Sequence, residues 1–193
     1  FPLRETVDKV LRRWANAQNV EMPELLVMPL GSDQSQTAAL AQFANKPYTT
    51  VIAPGSGERA SLVTQRQLDL GGRVLSVIPT PGLDASAITL YDTWSDLLLT
   101  GNAFYPGRLV IRDFQAYRNS LDSLVQFMFQ QPVSYVFGGR IEMTNRPGLD
   151  HRLRSNYRPG EHSLQLDPQL LETALQAVSL INGETDIRIL DDF

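Results

Sequence analysis

The chain has no cysteine and only two histidines in 193 residues. The first absence removes thiol nucleophiles, disulfides and thiolate-ligated zinc together. The second excludes a zinc centre built on three imidazoles of one chain. Lack of cysteine leaves the compartment open, because cytosolic and exported proteins both occur without it. No apolar run approaches the roughly 20 residues that a membrane-spanning helix needs. Positive charge is also short: 17 basic against 21 acidic residues give a net charge of -4. A nucleic-acid partner is therefore not expected, since phosphate binding needs clustered Lys and Arg. The one basic stretch, Arg140 to Arg158, is interrupted by acidic residues. There is no Gly-x-Ser-x-Gly elbow for a serine nucleophile. "APGSGERAS" lacks the Gly-Lys-Ser/Thr ending of a phosphate loop. It reads as a loop between strands, and Ser56 within it lacks a strand-to-helix setting.

What remains is an ordinary globular composition, 42% hydrophobic and 20% charged, at a length that suits one domain. Leu3, Val7, Val10, Leu11 and Trp14 recur at helical spacing. A short apolar strand spans Glu24 to Leu30, a helix is expected from about Ser35 to Ala44, and "TTVIAP" reads as a strand. "LDLGGRVLSVIPT" predicts a hairpin turning at Gly71-Gly72, and "SAITLYDTWSDLLLTG" a second one turning between Thr93 and Asp96. Helical periodicity returns through Phe114, Tyr117, Leu121, Leu124, Val125 and Met128, followed by the strand "VSYVFGG". Residues Arg140 to Gln165 are polar and irregular. A last helix is framed by Asp167 as its cap, Pro168 in its first turn and Gly183 past its end. "TDIRILDDF" adds a possible strand. Strands and helices alternate, so residues 1–193 read as a single layered α/β domain.

Several separate segments carry a more specific signal. "LDLGGRVLSVIPTPG", "ITLYD", "LLLTGNAFYPGRLVIRDF", "GGRIEMTNRPG" and "YRPGEHSLQL" occur in that order, preceded by "FPLRETVDKVL". Together they resemble the metallo-β-lactamase-fold hydrolases over nearly the whole chain. The resemblance implies an αββα sandwich with a two-metal site at one edge. It also implies that the N-terminal strands of the family lie before the helix with which this chain opens. A sheet edge left open there predicts a cover, either a second copy of the chain or a separate partner. The resemblance further leans the location toward the bacterial periplasm or exterior.

Laid onto this chain, the family's His-x-His-x-Asp-His motif falls on Pro29, Gly31, Asp33 and Gln34. The histidine of its "TPGH" falls on Leu83, the bridging Asp of "TGD" on Asn102, and the last histidine on Arg140. Only Asp33 is kept. Proline, glycine and leucine offer no side-chain donor, amide oxygens are poor zinc ligands, and arginine is a permanent cation. Without the metal there is neither an acidified water nor a Lewis acid. Neither zinc nor any other cofactor is therefore expected. The predicted function is a non-catalytic protein of this fold, retained as a binding or structural subunit. The remnant positions Asp33, Gln34, Asn102 and Arg140 would then border a cleft open to a small ligand. Arg140 is expected to replace the missing metal charge by pairing with Asp33.

The alternative is a metal-dependent hydrolase with an altered zinc site using Asp33, Asn102, Gln34 and either His151 or His162. A site of His151, His162 and Asp150 is a weaker candidate, because proximity in a loop is not geometry; His162 fits a scaffold role. Ser32 lies beside Asp33 with no histidine assigned as its base. Arg108, Arg112, Glu142 and Arg146 suit scaffold ion pairs better than a basic cleft. Phe104, Tyr105 and Trp94 suit packing better than a ligand wall.

Overall fold

The computed structural model describes residues 2–32, 34–153, 155 and 157–181, with the backbone alone for 34 and 35. Asp33, Gly183 and the strand expected in "TDIRILDDF" lie outside the described residues. Helix α1 (Leu3–Gln18) leads to strand β1 (Leu25–Val27), helix α2 (Gln34–Ala41), strand β2 (Thr49–Val51) and helix α3 (Gly57–Gln65). Strands β3 (Gln67–Asp69), β4 (Val74–Pro79), β5 (Ile88–Asp92) and β6 (Leu97–Gly101) follow. Helix α4 (Phe114–Gln130), strands β7 (Tyr135–Gly138) and β8 (Gln165–Leu166) and helix α5 (Gln169–Ser179) complete the order.

Strands β3 to β8 form one sheet in sequence order, antiparallel except where β6 pairs with β7 in parallel. That parallel pair needs a crossover, which α4 supplies. Both predicted hairpins are present: Gly71 and Gly72 take positive φ at the first turn, and β5 pairs with β6 across the second. Strands β1 and β2 form a separate parallel pair with Leu25 opposite Thr49.

Alternation along the strands builds two apolar layers. Tyr91, Leu98, Val136 and Leu166 join Tyr117, Leu121 and Leu124 of α4 and Leu171 and Val178 of α5 on one face. On the other face Leu68, Val77, Ile88 and Leu90 meet Leu26 of β1, Met28 and Leu30 just beyond it, and Leu62 and Val63 of α3. Each fully buried leucine here contributes about 1.5–3 kcal/mol. Strand β5 is buried along its whole length, sandwiched between the layers.

Two expectations change. "APGSGERAS" is not a plain loop, because α3 begins at Gly57 with Ser56 as its cap. The Ser56 side chain accepts from the Arg59 N–H at 3.2 Å, and Glu58 sits favourably in the first turn. Ser56 thus does stand at a strand-to-helix connection, with its hydroxyl used for capping. The helix expected from Leu3, Val7, Val10, Leu11 and Trp14 is present as α1, with Val10 64% and Trp14 49% exposed and Ala15 its buried residue. The capping around α5 is shared, since Pro168 already has helical dihedrals while the Asp167 carboxylate accepts from the Gln169 N–H at 2.9 Å. No helix among the described residues is long and apolar enough to cross a membrane.

Candidate functional site

The loops after β1, β4, β6 and β7 converge at one edge of the sandwich. Their contacts run in sequence from Ser32 to Asp84, from Leu30 to Gly101, from Gly101 to Gly139 and from Asn102 to Arg140. Six positions that the resemblance assigns to metal ligation, Pro29, Gly31, Gln34, Leu83, Asn102 and Arg140, therefore belong to one neighbourhood in backbone terms. Two different arrangements fill it.

The first is built around a buried arginine. Arg59, in the first turn of α3, is 3% exposed. It donates through Nη1 to the Pro29 carbonyl and through Nη2 to the Ser86 carbonyl at 2.8 Å. Opposite it, Asp84 accepts from the Ser32 N–H and from the Ser32 hydroxyl, whose Oγ lies 2.9 Å from Oδ1 and 2.8 Å from Oδ2. Asp84 Oδ1 also accepts from Ser86, from N–H at 2.8 Å and from Oγ at 2.9 Å. Burial pushes the Asp84 carboxyl up, but the bonds from Ser32 and Ser86 outweigh it and hold the group below the ordinary carboxylate range. Burial lowers the Arg59 pKa while the charge of Asp84 opposes that shift; a guanidinium stays cationic throughout. The two charges clasp the turn after β1 to the turn after β4.

The clasp accounts for Gly31, and the core beneath it for Leu83. A Cβ on Gly31 would lie 2.9 Å from Asp84 Oδ2 and 3.3 Å from Gln36 Nε2, so a side chain there collides with the clasp. Leu83, partly buried, packs against the cluster around Tyr117 and Leu121. Gly82, with φ of +141°, has room for no Cβ, which would fall 2.4 Å from that of Tyr117. Ser120 of α4 donates to the Pro81 carbonyl at 2.7 Å, fixing this turn against the helix.

The second arrangement is open. Gly101 takes a φ of +57° against Leu30, and Gly139 N–H donates to the Gly101 carbonyl at 2.5 Å. Asn102 and Arg140 follow directly, and Arg140 Nη2 donates to Asn102 Oδ1 at 3.0 Å. The guanidinium lies 5.2 Å from the Tyr105 ring centre and 3.7 Å from Glu142 Oε1. Glu142, 14% exposed, also takes Arg108, through the backbone N–H at 3.1 Å and Nη1 at 3.5 Å. Arg108 continues to Asp150 at 2.9 Å and to the His151 carbonyl at 2.7 Å. Arg158 is anchored by carbonyls, with Nη1 2.5 Å from Ile141 O and Nε 3.1 Å from Ser155 O. Between these groups lies a polar cleft of about 370 Å³, lined by Gln36, Asn102, Gly139, Arg140, Glu142 and Arg158 among others.

The remaining candidates are dispersed. His162 Nδ1 meets the Ser163 carbonyl at 2.8 Å, and His151 Nε2 is a buried atom without a hydrogen-bond partner among the described residues. Asp150 is held by Arg108. Among the described residues no group of three or more His, Cys, Asp or Glu is placed to hold a metal. Phe104 and Tyr105 are buried, while Trp94 is exposed at the far end of β6 with Arg73 stacked 5.5 Å from its ring centre. The pairing expected between Arg140 and Asp33 involves a residue outside the described set.

Sequence reasoning missed Arg59, Asp84 and Arg158. For Arg59 a signal existed: Ser56 followed by Gly-Glu-Arg is a capped helix start.

No protein-family profile and no curated protein sequence matches this chain. Solved structures do. A metallo-β-lactamase from Pontibacter korlensis aligns with a TM-score of 0.52 at 13% identity, over 90% of this chain and 77% of its own. The DIM-1 metallo-β-lactamase exposed to ceftazidime aligns with a TM-score of 0.56 at 13% identity, over 89% and 74%. FIM-1 from Pseudomonas aeruginosa, in its mono-zinc form, gives 0.52 at 11% identity over 89% and 73%. The chain has the metallo-β-lactamase fold. At such identities the likeness speaks for the fold alone, and function rests on the site.

Proposed function

We propose that this protein is a non-hydrolytic metallo-β-lactamase-fold domain, a binding module whose former metal edge has been rebuilt from protein charges. The observation that carries the reading is Arg140. Its Nη2 lies 3.0 Å from Asn102 Oδ1, at the two positions where the resemblance implies a metal-bound imidazole and a bridging carboxylate. A permanent cation at a ligand position repels a divalent ion, and the amide oxygen beside it is already accepting from that cation. Pro29, Gly31 and Leu83 bring no donor side chain. The residues present do not fit zinc, which takes imidazole, thiolate or carboxylate in tetrahedral array. Chemistry that depends on a metal-activated water accordingly has no support in this donor set.

The reading is tested by exposing the purified chain to excess zinc, desalting it and counting metal by mass spectrometry. The expected result is well under one zinc per chain. One or two ions retained per chain would overturn it, and ligand mapping at His151 and His162 would follow.

A further inference from the structure

We infer that the cleft beside Arg140 takes the oxyanion of a small molecule, a carboxylate or phosphate group, and that Arg158 is its principal anchor. The inference rests on the binding-module reading and names its ligand class. Two arginines line the same cleft, but they differ in what they hold. Arg140 is engaged by Asn102 and Glu142. Arg158 is half-buried and, among the described residues, bonded to carbonyls alone, Ile141 O through Nη1 and Ser155 O through Nε. Carbonyl bonds orient a guanidinium without neutralising it. Among the described residues Arg158 has no carboxylate partner, and its Nη2 has no acceptor.

Glu142, which among the described residues is the carboxylate lining the cleft, is shared between Arg108 and Arg140, and Arg108 is further tied to Asp150. Guanidinium is weakly hydrated, planar and matched to oxyanions through paired N–H donors. In a polar recess of about 370 Å³, a pre-oriented cation is worth more than at an open surface. The amides of Gln36 and Asn102, also in the lining, suit the polar body that carries the anion.

The test is a titration of the full chain with sodium succinate and, separately, with sodium phosphate, against sodium chloride at matched ionic strength. The arginine Nε–H resonances are followed by NMR and affinity is read by calorimetry. The expected result is a saturable shift of the Arg158 resonance with at least one oxyanion and none with chloride. Succinate alone identifies a carboxylate ligand, phosphate alone a phosphate ligand. Arg158→Gln should weaken binding by about tenfold or more, and Arg152→Gln, at an exposed position, by less than about twofold. A stationary Arg158 resonance, or an Arg158→Gln variant that binds as wild type does, overturns the inference. If that variant fails to fold, the resonance in the wild-type chain still decides. A chain that retains no zinc and binds neither anion would sink this inference alone, leaving the proposed function in place.

Discussion

The edge of the sheet where the loops after β1, β4, β6 and β7 meet has two halves built in opposite ways. Around Arg59 and Asp84 the guanidinium is sunk and the carboxylate half-buried, Arg59 donates through both Nη atoms, both carboxylate oxygens accept, and the turns after β1 and β4 are pinned between them. Around Arg140 the charges are shared among several groups and remain wetted, with Arg140 37% exposed at its side chain. A metal ion would have served both purposes at once, drawing loops together and offering an open face for chemistry. Here the two tasks are separated: the buried half holds the loops and the open half leaves a cleft. The energetic consequences should differ accordingly, because an unpaired buried charge is far more costly than a broken surface pair.

The largest effect is expected at Arg59. Arg59→Met keeps most of the volume but strips the donors from the Pro29 and Ser86 carbonyls and leaves Asp84 without a nearby countercharge. A loss of about 3 kcal/mol or more is expected in urea unfolding. A loss below about 1 kcal/mol would break the comparison, because the buried half would then hold nothing that the open half does not.

Asp84 gives the next effect and a pH signature. Its folded pKa is depressed, so its stabilisation is fully present above the unfolded carboxylate value of about 4 and is lost as pH falls through the folded value. Asp84→Asn should cost about 1–3 kcal/mol at neutral pH, with the gap to wild type closing as the solution is acidified. Urea midpoints taken at intervals below pH 5 would show it. Asp92, paired with Arg73 and lowered to about 2, titrates in the same window in both proteins and so cancels in the difference. A gap that does not change with pH would assign the cost of Asp84→Asn to packing instead of charge.

This division was only half legible in the sequence. The scaffold was readable, because hairpins with Gly71-Gly72 or an Asp-rich turn, and helices with 3.6-residue periodicity, are local signals. Asn102 and Arg140 were placed together by the resemblance, and the structure puts them in contact. The clasp was not readable, since Arg59 and Asp84 lie 25 residues apart and meet only through turns whose partners are backbone carbonyls and serines. Nothing local in "GERAS" distinguishes a buried arginine from a solvated one. The α1 stripe was legible as a helix, but periodicity identifies an apolar face without saying what covers it.

The smallest effect is expected at Arg140, and it decides what the open half is for. Arg140→Ala removes, among its contacts, the bond to Asn102, the longer contact to Glu142 and the approach to the Tyr105 ring, but Glu142 keeps Arg108 and the groups around it face the cleft. The cost should stay under about 1 kcal/mol in the same urea measurement. A small cost means that this cation is not needed to hold the loops, so a role in what enters the cleft becomes the better explanation of its presence. A cost close to that of Arg59→Met would instead make the open network a second clasp. Both halves of the edge would then serve stability, with the cleft left over as a by-product.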